Sequence, residues 1–159
     1  AEVFQRNMLA SGVIPQISLI MGPCAGGAVY SPAITDFVFM VKDSAYMFVT
    51  GPDVVKTVTH EEVTAEQLGG AITHSSRSGV SDLALEDDVD MLLNTRRFFN
   101  FLPANNREKP PVWPCEDPAT REEISLDSLV PEDPAKPYDI KELIIKLADE
   151  GDFFELQPE

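Results

Sequence analysis

Apolar positions fall along this chain in short runs of strand or helix period. Residues 1–11 read as a helix with Val3, Phe4 and Met8 near one face, and Gly12 stops it. Pro15 then leads into Ile17, Leu19, Ile20 and Met21, which predict a buried strand over residues 16–21. Residues 36–41 and 45–49 are further apolar runs, rich in aromatic and β-branched side chains, with Lys42, Asp43 and Ser44 as a polar turn between them. All are continuous rather than alternating, which predicts strands of a sheet covered on both faces.

Helix signals fill the intervals. Gly22 and Pro23 read as a turn, and Gly26, Gly27 and Ala28 as the start of a helix reaching toward Ala33. Thr50, Gly51, Pro52 and Asp53 form a helix start ahead of Val54, Val55 and Val58. Thr64 and Gln67 frame a capping box that Leu68, Gly69 and Gly70 close almost at once. Ser81 and Asp82 open a longer predicted helix with Leu85, Val89, Leu92 and Phe99 at helical spacing. Glu86, Asp87 and Asp88 lie at its positive end, and Arg96 and Arg97 near its negative end.

Prolines from Pro103 to Pro137 then punctuate a polar stretch whose apolar anchors are Val112, Trp113 and residues 126–130, the pattern of an extended strap. Asp139 caps a last predicted helix with Ile140, Leu143, Ile144, Leu147 and Ala148 in one stripe, ended by Gly151. The expected organisation is a domain portion over residues 1–102, a strap over 103–138, and a helix with connector over 139–159.

Composition narrows the function classes. The formal charge of −15 over 159 residues disfavours nucleic acid and anionic membrane surfaces as partners. Cys24 and Cys115 make no disulfide framework, and with His60 and His74 they lack zinc-ligand spacing, so a reducing compartment and no metal are expected. No uninterrupted apolar stretch has the length of a membrane span. The chain begins inside a predicted helix and is expected to be a fragment whose natural start lies upstream.

Chemistry concentrates in residues 21–33. The first N–H groups of a helix that starts on Gly26, Gly27 and Ala28 lack partners inside it, so they can receive a phosphate, a carboxylate or a developing oxyanion. Close packing of helix on strand explains the same glycines without any ligand. Gly22-Pro23-Cys24-Ala25-Gly26 also has the outline of a nucleophile elbow, with His60 or His74 as its base. Against that rival, Pro23 fixes the backbone before the cysteine and no acid is placed to orient either histidine. Gly69, Gly70 and Ala71 with Thr73 and His74 either line a polar pocket or make a tight turn before an exposed polar strand. Asp36, Asp53 and Asp82 read as caps and turn residues, and Tyr30, Tyr46 and Phe48 as core.

Gly22-Pro23-Cys24-Ala25-Gly26-Gly27-Ala28-Val29-Tyr30-Ser31-Pro32-Ala33, Thr35-Asp36-Phe37, Phe39-Met40-Val41-Lys42 and Thr50-Gly51-Pro52-Asp53-Val54-Val55-Lys56 together resemble the biotin-dependent acyl-CoA carboxyltransferases. Leu68-Gly69-Gly70-Ala71, Thr73-His74, Ser78-Gly79-Val80 and Phe98-Phe99-Asn100-Phe101-Leu102-Pro103 extend the resemblance over nearly the whole chain. It implies an α/β, ClpP/crotonase-like ββα spiral: the second half of an N-terminal domain, plus the connector toward a C-terminal one. It also implies carboxyl transfer from carboxybiotin to the α-carbon of a short-chain acyl-CoA, in the first place propionyl-CoA to methylmalonyl-CoA. Methylmalonyl-CoA decarboxylation or another acyl-CoA carboxylase subunit are the alternatives within the family.

In that chemistry Gly26, Gly27 and Ala28 act as enolate donors, worth about 3 kcal/mol each, and Cys24, Ala25, Tyr30, Gly69, Gly70 and His74 line the substrate. Implied partners are a biotin carboxylase and carrier α subunit, with biotin on the carrier domain, and further copies in a hexamer to which the strap and the last helix contribute contacts. A further glycine-rich segment upstream and a C-terminal domain would complete the site, so the fragment alone is expected to be inactive. Bacterial cytoplasm and mitochondrial matrix both suit the chain. From other classes, a Cys24-dependent amidotransferase or hydrolase and a non-catalytic acidic interaction module remain.

Overall fold

The most apolar run becomes the middle strand of the larger sheet. In chain order the strands are β1 (Ile17–Ile20), β2 (Pro23–Ala25), β3 (Phe37–Val41), β4 (Tyr46–Phe48) and β5 (Leu83–Leu85). One sheet has the order β1-β3-β5 and the other pairs β2 with β4, every pairing parallel. Parallel neighbours cannot be joined by a tight hairpin. The chain therefore spirals, each full turn giving one strand to the first sheet and the next to the second. Lying between two neighbours, β3 buries Val38, Phe39, Met40 and Val41, which explains its unbroken hydrophobicity. This is the ββα spiral that the resemblance implies.

The computed structural model describes residues 2–159, in two compact units: residues 2–111 with 156–159, and residues 112–155. In the first, α1 (Glu2–Ala10) precedes β1; Ala1, the expected start of that helix, lies outside the described residues. A 3-10 turn over Gly26–Val29 and α2 (Tyr30–Ala33) follow β2. After β4 come α3 (Pro52–Thr59), α4 (Ala65–Gly69) and α5 (Ala71–Thr73). Thr64 and Gln67 form the predicted capping box. The cap of α3 is Gly51, with Pro52 at the first helical position.

Aspartates start the parallel ladders. Asp36 Oδ2 accepts from Gln16 N at 2.8 Å, while the Gln16 carbonyl accepts from Asp36 and Phe37. Asp82 Oδ2 accepts from Val38 N at 2.9 Å, and Asp82 N donates to Val38 O at 2.7 Å. The fully buried Ser81 donates to the Leu83 carbonyl. Near the chain end, Gln157 N donates to the Asp82 carbonyl.

That arrangement corrects the helix expected from Ser81. Residues 83–85 pair with β3 instead, and the helix α6 (Asp88–Phe99) starts later, capped by Asp87. Its buried residues are Met91 and Phe98, with Phe98 edge-on to Phe37 and Phe39, while the expected stripe residues Val89, Leu92 and Phe99 are exposed. β2 was also not expected: Pro23, read as a turn, opens a strand, where its missing N–H is tolerated. After Thr73 the chain makes a π-helical turn, His74–Ser78, rather than a polar strand.

The unit of residues 112–155 has no fully buried side chain. Helix α7 (Ile140–Leu147) is capped by Asp139 as expected, but it ends at Ala148, before Gly151. Arg121 donates to the Lys146 carbonyl at that end and pairs with Asp117, whose carboxylate also accepts from Glu150 N.

Gly69 tests how β4 is backed. A Cβ there would lie 2.1 Å from the Met47 carbonyl oxygen, a backbone atom, whereas at Gly70 the nearest atoms would be those of the Glu66 side-chain carboxylate, at 2.0 Å. Gly69→Ala in the full-length protein should destabilise by roughly 1–3 kcal/mol and Gly70→Ala by less, read by calorimetric melting. Asp82→Ala, which strands the Val38 amide, should cost about 1–3 kcal/mol in the same measurement.

Candidate active site

Strand β2 ends at Ala25, extended at φ −129° and ψ 157°, and the chain turns at Gly26 with φ +64°. Only glycine adopts that left-handed angle without strain. Ala25 is the N-cap of the 3-10 turn. In such a turn the cap carbonyl takes the N–H three residues on, that of Ala28, and the parallel ladder, in phase from the Tyr46 N–H on the Gly22 carbonyl to the pairing of Ala25 with Phe48, directs the Gly26 N–H to the Phe48 carbonyl, so Gly27 is left as the unmatched donor. In front of Gly27 the chain is open: a Cβ there would meet no atom within 4 Å. A backbone N–H left free at such a turn can donate to one oxygen carrying negative charge.

The second small-residue turn lies behind β4. Met47 pairs with Cys24 and Phe48 with Ala25, and Gly70 bridges to Tyr46. His74 Nε2 is 2.7 Å from the Met47 carbonyl, and Nδ1 is 2.7 Å from Ser78 Oγ. The structure therefore joins Cys24, Ala25, Gly69, Gly70 and His74 through β4, while Gly26, Gly27 and Ala28 continue from β2. Tyr30 stands apart: it is half exposed and tilted against Phe4 of α1, ring centroids 6.4 Å apart. His60 is exposed and ends α3 in the left-handed conformation.

Cys24 is a strand residue, not the tip of an elbow. It is half-buried, and burial pushes its thiol above the ordinary cysteine range, which disfavours the thiolate a nucleophile needs. Both ring nitrogens of His74 are already occupied. Met47 and Ser78 were missed in the sequence. The spacing of Ser78 from His74, one helical turn, was the only signal for the pair.

Elsewhere, Cys115, Asp117 and Asp149 bring possible ligand atoms within 4.8 Å of one another in the unit of residues 112–155. Asp117 there is taken up by Arg121 and Glu150 N. Among the described residues no helix is long and apolar enough to cross a membrane.

Comparison with known proteins places this geometry. A family described as "Carboxyl transferase domain" matches residues 1–159. The propionyl-CoA carboxylase beta chain of Roseobacter denitrificans is 70% identical over 158 residues, 99% of this chain and 31% of that protein. The methylmalonyl-CoA decarboxylase subunit alpha of Propionigenium modestum is 54% identical over 157 residues, 99% of this chain and 30% of that one. Transcarboxylase 12S, solved as a hexamer with methylmalonyl-coenzyme A and methylmalonic acid bound, superposes with a TM-score of 0.93 at 44% identity, covering 98% of this chain and 30% of that one. The chain thus spans under a third of the length of these relatives. With the parallel spiral and its glycine turn, the agreement along the whole sequence settles the family: the chain belongs to the carboxyl transferase domain family, with the crotonase-like fold.

Proposed function

We propose that this chain is the part of an acyl-CoA carboxyltransferase subunit that holds the thioester oxygen while the α-carbon reacts. The observation that carries the reading is the Gly26 turn: at the end of β2 the Gly27 N–H is used by neither the turn nor the ladder, and an added Cβ at Gly27 would meet no atom of the rest of the chain within 4 Å. The substrate is a short-chain acyl-CoA, propionyl-CoA in the first place, as the 70% identical relative's name suggests. Loss of an α-proton moves negative charge onto the thioester oxygen. Donors already aimed at that point stabilise the enolate more than the ground-state carbonyl, by about 3 kcal/mol each. The enolate carbon then takes up the carboxyl group.

Gly27 is the first choice as donor, because the turn uses the Ala28 N–H internally and the ladder takes the Gly26 N–H to the Phe48 carbonyl. Cys24 and Ala25 lead the chain to it, and Gly69, Gly70 and His74 back the strand beside it. One N–H group serves one oxygen and leaves no donor for a biotin ureido ring, so these residues do not hold the cofactor. Carboxybiotin, on a carrier domain of an α subunit, supplies the carboxyl group when present. The biotin-facing and chain-length-selecting residues then lie in family segments outside this chain, and the working assembly is a hexamer, as in transcarboxylase 12S.

The decarboxylase relative favours a second reading of the same site. Loss of CO2 from methylmalonyl-CoA gives the same enolate, so the same donor serves both directions. Assaying the full-length protein with its carrier for propionyl-CoA carboxylation and for methylmalonyl-CoA decarboxylation decides between them.

Gly27→Val is a suitable test because a Cβ added there would meet no atom of the rest of the chain within 4 Å. It should leave the melting temperature near the parent value and cut carboxylation by about 100-fold or more. Cys24→Ser should keep most activity, and its inactivation with folding intact would restore the nucleophile. Under limiting iodoacetamide at neutral pH, exposed Cys115 should alkylate well before Cys24, whose raised thiol pKa makes its reaction rate climb only at more alkaline pH. Faster loss of Cys24, followed by peptide mass spectrometry, would contradict this.

A further inference from the structure

Met47 links the two small-residue turns. Its carbonyl oxygen lies 2.7 Å from His74 Nε2, and the absence of a side chain at Gly69 leaves room for the same oxygen, which an added Cβ would approach to 2.1 Å. A carbonyl only accepts, so Nε2 carries the proton; in the neutral ring Nδ1 then accepts from the Ser78 hydroxyl, 2.7 Å away. The Met47 carbonyl thereby fixes the tautomer, and Ser78 holds the other ring nitrogen.

The consequence crosses the strand. A trans peptide group is planar, its C=O and the following N–H pointing opposite ways. Turning the Met47 C=O toward His74 turns the Phe48 N–H to the far side, where β2 pairs Ala25 with Phe48 and Cys24 with Met47. The residue after Ala25 is Gly26, and the position of a Cβ on it would face the Val49 carbonyl at 4.0 Å. Both short strands have three residues, so the orientation of a single peptide weighs heavily on the ladder and on the turn that continues from it.

We infer that His74, its proton kept on Nε2 by the Met47 carbonyl and its Nδ1 held by Ser78, is a positioning residue: by holding the peptide between Met47 and Phe48 it aligns β2 and so aims the Gly27 N–H. The role differs from direct substrate contact. It rests on the reading of that N–H group as an enolate donor.

The test uses the full-length subunit assembled with its carrier partner, and propionyl-CoA as the acceptor. His74→Ala should lower kcat by about 10- to 100-fold, the scale of an ångström-sized misplacement, with the acyl-CoA KM near the parent value. His74→Gln, whose side-chain amide can donate to the Met47 carbonyl in place of Nε2, should recover most of kcat. Ser78→Ala should give a smaller kcat loss and Ser78→Thr should recover it.

Parent-like kcat in His74→Ala overturns the role, as does a His74→Gln enzyme no better than the alanine variant. A raised KM at unchanged kcat would mean direct substrate contact and also overturns it. Should His74→Ala fail to fold, Ser78→Ala, which leaves the ring in place, carries the same kcat and KM split. Gly27→Val separates the two claims: full activity there removes the donor reading and this inference with it, whereas a dead Gly27→Val beside a fully active His74→Ala removes the positioning role alone.

Discussion

Parallel pairing of β2 with β4 is the constraint on which the candidate site depends. Three residues on each side, joined at Pro23 with Tyr46, Cys24 with Met47 and Ala25 with Phe48, hold the strand that ends at the glycine turn. Ladders that short are marginal by themselves. This one is backed on the outer side of β4 by the antiparallel bridge from Gly70 to Tyr46, by Gly69 and by His74. The capping box at Thr64 starts the helix that delivers those residues, so an ordinary local device far from Gly26 in sequence contributes to where Gly26 sits.

Elements whose identity is decided within one run of residues were legible beforehand. The continuous apolar runs became β1, β3 and β4, and the caps at Thr64 and Asp139 formed as expected. Elements decided by a distant partner were not. Ser81 and Asp82 have the local look of a helix start, yet their polar groups satisfy β3: Asp82 receives the Val38 amide, and the residues after it pair with Phe39, Met40 and Val41. Tertiary hydrogen bonding overrode a local cap signal. The buried face of α6 was missed for a related reason. Both Met91 with Phe98 and Val89 with Leu92 keep helical spacing, and only the position of Phe37 and Phe39 selects the first pair.

The site divides along the same line. Gly26 and Gly27 could be found from sequence because a strand followed by paired glycines already implies a tight, bare turn. Neither the assignment of the Ala28 N–H to the turn nor the bond between His74 and Met47, 27 residues apart, has any local signature. Tyr30 shows the limit of adjacency: four residues past Gly26, it has rotated away with α2 to pack on Phe4.

A site built from backbone N–H groups also suits the charge of this chain. With a net charge of −15, a side-chain cation placed to meet an enolate would have many carboxylates competing for it. The ion pairs show that competition at work: Arg6, Lys42, Lys56, Arg121, Lys141 and Lys146 each contact an aspartate or glutamate. Most are exposed, are screened by salt, and contribute little to stability, but they leave those cations unsuited to waiting unpaired in a recess. A backbone N–H cannot swing to another partner, has no rotamer entropy to lose, and stays a donor across the working pH range. Its weakness is that it can be aimed only by moving the chain. The precision of the Gly26 turn therefore has to come from the strands beneath it, which returns the chemistry of the site to the pairing of β2 with β4.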